Sequence, residues 1–127
     1  MKMSSYTDNT EFLTKEYETT RAQFQKIETD TEKQKALAEY VQKWTNYVAM
    51  LRQWVLDAEM SAQASRELLA EAKKERENMF GDKKKHIQIA EEHMARDNQI
   101  LAEVQKPLTL ANWQLQEFQR LATTITQ

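Results

Sequence analysis

The sequence predicts an all-α fold, in which two long helices form an antiparallel coiled-coil hairpin and a third, N-terminal helix makes a three-helix bundle base at its open end. Three observations lead to this prediction. The 127 residues include one glycine and one proline, against a usual combined share of roughly 12%, so turns are few. Two long segments repeat apolar residues with a heptad period, as coiled coils do. Gly81 lies between these segments and is a natural turn residue.

The first predicted element of this single domain is a helix over residues 9–28, preceded by a flexible tail at residues 1–8. The tail is polar and has no periodic pattern. Asp8 and Glu11 have the spacing of a capping box, in which side chains satisfy the free backbone donors of a helix start. An apolar seam follows at Leu13, Tyr17, Phe24 and Ile27.

The link between the first and second helices has two interpretations. The heptad register of the first seam does not carry into the second, and the polar stretch Thr29–Glu32 lies between them. Either the chain turns here and the first helix packs back on the second, or one helix continues through a stutter. We favour the turn, because Asp and Thr side chains serve helix ends better than helix interiors.

The second predicted element is a long helix over residues 30–80. Two heptad columns make its seam, and only Ser65 and Arg76 among them are polar. The columns are Leu37, Trp44, Leu51, Ala58, Ser65, Ala72 and Met79, and Val41, Val48, Val55, Ala62, Leu69 and Arg76. Beside the seam lies a third, aromatic column: Tyr40, Tyr47 and Trp54. Two packed helices would leave this column in water, so we expect a third helix or a partner to cover it.

A turn is predicted at residues 81–82, and a third helix over residues 83–125. The apolar register of this segment runs unbroken past Pro107, which is expected either to kink the helix or to end it. Folding the two equal arms at the turn brings matching positions together. The expected neighbours are Trp44 with Phe118, Val48 with Leu115, and Ser65 with Asp97.

Composition and charge restrict the class of function. The chain has 18 basic and 20 acidic residues with interspersed signs, and this balance argues against a dedicated nucleic-acid binder, which would normally be basic. No apolar run approaches the ~18 residues of a transmembrane segment, and the first residues lack the apolar core of a signal peptide. We therefore expect a soluble, cytoplasmic protein.

No pattern of residues indicates catalysis, a cofactor or a metal. There is no glycine-rich phosphate loop and no nucleophile motif. His86 and His93 share a helix face, and His93 is one turn from Asp97, but a zinc site needs three or four ligands. We interpret the chain as non-enzymatic, with a metal site around these residues as a minor hypothesis, and expect Asp97 to pair with Ser65 or Arg66.

A short string, Leu51–Glu59, resembles the first helix of a spectrin-type repeat, which often carries a Leu-x-x-Trp-Leu-like sequence. That family would imply a bend before Phe80. The chain has no turn signal between Glu59 and Phe80, so we interpret the string as a pattern common to helical bundles.

Two surfaces are candidates for partner binding. The basic hairpin tip comprises Lys73, Lys74, Arg76, Lys83, Lys84 and Lys85, with Met79 and Phe80 either filling the turn or anchoring a partner. The aromatic face comprises Tyr40, Tyr47, Trp54 and Trp113, residue types that dominate binding hot spots. We expect a protein–protein interaction module, acting as scaffold, adaptor or small inhibitor or regulator, whose partner is another protein or a second copy in a homodimer. The alternative is binding of nucleic acid or an anionic membrane surface through the lysine-rich tip.

Overall fold

The computed structural model describes residues 2–76 and 81–126, which form three α-helices and no strand. Helix α1 spans Thr10–Gln25, α2 spans Asp30–Lys74 and α3 spans Asp82–Thr126. Helices α2 and α3 pack along each other as a hairpin, and α1 makes a smaller contact at its open end. The fold class predicted from the heptad pattern is confirmed. None of the helices in the described residues has a stretch both long and hydrophobic enough to cross a bilayer.

Local side chains set the helix starts. Helix α1 begins after Asn9, whose side chain makes no capping bond to the helix, while Asp8 accepts a 2.9 Å hydrogen bond from the backbone N–H of Thr10. Helix α2 begins where the Thr29 hydroxyl accepts a 3.2 Å hydrogen bond from the backbone N–H of Glu32. Residues 26–29 are not helical, so the chain turns there and does not continue through a stutter.

The backbone at Gly81 has the conformation of a turn, and Pro107 lies inside α3. Gly81 has a φ of 71°, in the left-handed region that favours glycine. Helix α2 ends at Lys74, earlier than the expected residue 80, although residues 77–80 lie outside the described ranges. Helix α3 continues through Pro107, so the proline does not end it.

The core lies at the base, where all three helices meet. Trp44 and Phe118 are fully buried, and their ring centroids are 4.8 Å apart. Leu13 of α1 is also fully buried and packs against Leu51 of α2 and Ala111 of α3. Because α1 supplies this third wall, the base can bury large side chains. The predicted pairing of Trp44 with Phe118 is confirmed.

Beyond the base, α2 and α3 continue alone as a stalk, which we define as residues 58–74 of α2 and 82–104 of α3. The residues buried in its seam are mostly small, and include Ala58, Ala62, Ser65, Ala72 and Ala90. Small side chains allow helix axes to approach the lower end of the usual ~8–10 Å range. The Ser65 hydroxyl donates a hydrogen bond to the Asp97 carboxylate, as the folded register predicted.

Candidate functional site

Helix α1 covers two of the three residues in the aromatic column of α2. The ring centroid of Tyr40 lies 6.4 Å from that of Phe24, and the ring centroid of Tyr47 lies 5.9 Å from that of Phe12. Both pairs have the near-perpendicular geometry that aromatic quadrupoles favour. These residues therefore hold the base together, and α1 is the third helix that the pattern required.

One ion pair joins α1 to α2 beside these rings. The Lys43 ammonium donates a 2.9 Å hydrogen bond to the Glu16 carboxylate, and this bond raises the pKa of Lys43. The Tyr47 hydroxyl donates to the same carboxylate at 3.4 Å, and burial raises the pKa of Tyr47. Both groups therefore stay protonated donors at neutral pH.

The N-terminal tail covers Trp54, the third member of the aromatic column. The ring centroid of Tyr6 lies 6.4 Å from that of Trp54, and the Tyr6 hydroxyl donates a 3.1 Å hydrogen bond to Asp57. The tail is held in a closed turn by the buried Asn9, whose side chain bonds the backbone N–H of Ser4 at 2.8 Å and its carbonyl at 3.0 Å. No periodic pattern marked this turn in the sequence.

Trp113 lies at the margin of the α1 interface. Its ring centroid is 5.6 Å from that of Tyr17 on α1, yet the residue is 50% exposed. It is the member of the predicted aromatic face that keeps most surface open to a partner.

Gln114 links all three helices at the base, and sequence reasoning missed it. Its side-chain oxygen accepts a 2.8 Å hydrogen bond from the indole N–H of Trp44, and its amide donates a 3.1 Å bond to the backbone carbonyl of Leu13. Gln114 lies outside the apolar seam, so the heptad pattern did not mark it as buried. The only available signal was the need of a buried tryptophan for an acceptor.

The basic residues of the predicted tip remain at the surface. Exposed positions are Lys73, Lys74, Arg76, Lys84 and Lys85, and Lys83 is half-buried. Glu75 and His86 meet across the end of the stalk, with a carboxylate oxygen 2.6 Å from the imidazole Nδ1. The prediction for Met79 and Phe80 falls outside the described residues.

The residues of the minor metal hypothesis each have another partner. The Nδ1 atom of His93 lies 2.9 Å from the guanidinium of Arg96, and Asp97 accepts from Ser65. Across residues 2–76 and 81–126, no three His, Asp or Glu side chains are grouped to hold a metal ion. Asp97 pairs with Ser65 and not with the neighbouring Arg66, whose expected ion pair is absent from the described residues.

A groove runs along the stalk on the face of the hairpin that α1 occupies at the base. Continuing the aromatic column beyond Trp54 by heptad steps leads to Ser61 and Leu68, which line this groove. We call it the stalk groove and define it by Ala58, Ser61, Leu68, Ala72, Ile89, Ala90 and Ile100. It contains two recesses, of about 200 Å³ beside Tyr6 and about 280 Å³ nearer the tip.

The recess nearer the tip has an apolar floor and apolar rims. Ala72 and Ala90 form the floor and are buried. Leu68 and Ile89 stand on opposite rims and are 55% and 52% exposed. Large apolar side chains on a rim above a small-residue floor leave a trough that another helix can fill.

The two rims of the stalk groove differ in charge. The α2 rim carries Asp57, Glu71 and Glu75. The α3 rim carries His86 and His93 along the recess nearer the tip, with Arg96 beside His93, whereas Asp97, which accepts a hydrogen bond from Ser65, lines the recess beside Tyr6. In the recess nearer the tip, a ligand therefore meets carboxylates on the α2 side and nitrogen donors on the α3 side.

In comparisons with known proteins, no family model, no curated protein and no solved structure matched this chain.

Proposed function

We propose that this chain is a non-enzymatic protein–protein interaction module, a scaffold, adaptor or small regulator, which binds its partner along the stalk groove. The observation that supports this proposal is the pair of half-exposed residues Leu68 and Ile89 over a recess of about 280 Å³. Apolar surface arranged in this way is typical of partner-binding grooves.

The groove replaces most of the aromatic face as the candidate surface. Helix α1 and the tail cover Tyr40, Tyr47 and Trp54, so the main role of these three side chains is to stabilise the fold. Trp113 keeps its exposed half, and the basic tip lies at the end of the groove. A partner in the groove would thus reach the tip.

A pull-down from the native source tests the proposal. The bait is the intact protein, a groove variant with Leu68→Glu and Ile89→Glu, or a control variant with Leu56→Glu and Met60→Glu. Leu56 and Met60 are 48% and 72% exposed and lie away from the groove, so the control adds the same charge elsewhere. We expect one or more proteins to be captured by the intact and control baits and lost from the groove variant. Capture that is equal on all three baits, or on none, contradicts the proposal.

A second candidate function is binding of nucleic acid or an anionic membrane surface through the tip. It is supported by Lys84 and Lys85, which lie exposed in the first turn of α3, where positive charge opposes the helix dipole. Such placement does not stabilise the helix, and it leaves the two ammonium groups available to an anionic partner. Binding to RNA or to vesicles containing anionic lipid would fall steeply with added salt. A salt-insensitive or undetectable interaction contradicts this candidate.

A further inference from the structure

We infer that the stalk groove binds one amphipathic helix of a partner protein, lying end to end with α1 and carrying basic residues toward α2 and acidic residues toward α3. This inference rests on the proposed function and deepens it by naming the chemistry of the partner. The length of the bound helix follows from the length of the uncovered groove. From Ala58 to Glu75 the groove is roughly 26 Å long at 1.5 Å per residue, which suits a helix of about 17 residues.

Continuity with the α1 interface indicates that the occupant is a helix. At the base, the same face of the α2–α3 pair holds α1 and buries Leu13 completely. The tail ends this coverage at Tyr6, which contacts Trp54 and Asp57. Past Tyr6 no described residue covers the groove, and residues of α2 and α3 continue to line it as far as Glu75 and His86. The groove is therefore the second half of a site whose first half already contains a helix.

The floor of the groove determines the size of the apolar residues that the bound helix must carry. Ala58, Ala72 and Ala90 are buried and small, so a facing helix can approach closely. Large residues of that helix, such as Leu, Met or Phe at heptad spacing, would fill the recess between Leu68 and Ile89. Small residues in the occupant would leave this space empty and lose the contacts that a filled groove supplies.

The charges of the α2 rim distinguish the occupant from α1. Lys43, Asp57 and Glu71 belong to one heptad-spaced column on α2. At the base, Lys43 pairs with Glu16 of α1. In the stalk the column becomes acidic at Asp57 and Glu71, so a helix with α1's charges would be repelled there. The occupant instead needs Lys or Arg on this flank.

The α3 rim determines the opposite flank. His86 and His93 line the recess nearer the tip, Arg96 lies beside His93, and Glu75 is the carboxylate that meets His86. The α3 carboxylate in the other recess, Asp97, already accepts a hydrogen bond from Ser65. Acidic residues of the occupant on this side would pair with Arg96 and with the histidine ring N–H groups. Complementary flanks of opposite sign fix both the register and the direction of the helix.

The test is selection from a displayed library of 18-residue helical peptides whose seam and flanks are randomised, panned against the intact protein. We expect enriched peptides to carry large apolar residues at heptad spacing, Lys or Arg on one flank, and Asp or Glu on the other. Their affinity should fall at least about tenfold, or roughly 1.4 kcal/mol, in Leu68→Glu. It should stay unchanged in Leu56→Glu, the matched variant outside the groove.

Three results would overturn the inference. The first is no enrichment, or enrichment without the heptad and charge pattern. The second is equal binding of the enriched peptides to Leu68→Glu and Leu56→Glu. The third is a dimer of the intact protein, measured by light scattering, that dissociates in Leu68→Glu, because a second copy would then fill the groove. If the library fails while the pull-down still depends on the groove, the proposed function stands and only the occupant is wrong.

Discussion

The base and the stalk are built from the same two helices, yet their seams differ in side-chain size. At the base, Trp44 and Phe118 meet in the seam and Leu13 of α1 closes the third side. In the stalk the seam narrows to residues such as Ala62 and Ala72. Large side chains occur where a third helix can seal them from water, and small ones occur where two helices stand alone. The stalk therefore packs closely but leaves a face uncovered.

The two regions also treat buried polar groups differently. At the base, Gln114 satisfies both Trp44 and the Leu13 carbonyl in a fully enclosed network. In the stalk, Ser65 and Asp97 form a single pair that lies partly open beside the groove. We expect the base to contribute most of the free energy of unfolding. We expect the stalk to fix the register of α2 against α3 and to provide the surface for a partner.

The largest expected effect is at the centre of the base. Trp44→Ala should lower the free energy of unfolding by about 3–5 kcal/mol, because it leaves a cavity among packed aromatic rings. The matched change in the stalk is Leu69→Ala, whose partly exposed side chain should account for about 1–2 kcal/mol. Urea unfolding followed by circular dichroism measures both. Equal losses would show that the base and stalk do not differ as described.

A smaller effect is expected for the network that joins the three helices. Gln114→Leu removes the acceptor of the Trp44 indole N–H and should lower the free energy of unfolding by about 2–3 kcal/mol. The control is the double variant Gln114→Leu with Trp44→Phe, in which no buried donor is left unpaired. If the double variant loses the sum of the two single losses, Gln114 does not act through Trp44.

Much of this fold could be predicted from the sequence because coiled-coil packing repeats. A heptad register assigns the partner of every seam residue once the turn at Gly81 is known, which is why Trp44 was matched with Phe118 and Ser65 with Asp97. The need for a third helix followed from an aromatic column outside the seam. Both inferences use periodic positions alone.

The remaining features depend on contacts that have no period. Gln114 is buried only because α1 crosses over it, and the register of α1 on the hairpin is not set by the hairpin sequence. The closed turn that seats Tyr6 on Trp54 depends on Asn9, a single residue in an irregular segment. One rim of the stalk groove could have been predicted, since Leu68 continues the aromatic column. The opposite rim at Ile89 could be identified only from the packing of α2 against α3.

The polar pair of the stalk should be worth less than the network of the base. We expect Ser65→Ala and Asp97→Ala each to lower the free energy of unfolding by about 1–2 kcal/mol, because the hydrogen bond involves a carboxylate and is only partly screened from water. A double-mutant cycle should give a coupling of about 1 kcal/mol between them. The comparison cycle pairs Asp97→Ala with Arg66→Ala, and we expect additivity there. Coupling to Arg66 with none to Ser65 would contradict the register of the stalk.

The smallest expected effect is at the end of the stalk, where the chain reverses. Gly81→Ala should lower the free energy of unfolding by about 1 kcal/mol, because a Cβ atom is disfavoured at a φ of 71°. Steric overlap is not expected to add to this loss, since among the described residues no atom beyond Gly81 and its chain neighbours lies within 4 Å of the position that the Cβ would occupy. Gly81→Asn is the control, because Asn tolerates left-handed backbone better than Ala does. Thermal unfolding that ranks Gly, Asn and Ala in this order supports a turn held by backbone conformation alone. Equal melting temperatures for Gly81 and Gly81→Ala would mean that the stalk can end without a left-handed residue, and that its two helices are held together by their seam and not by their turn.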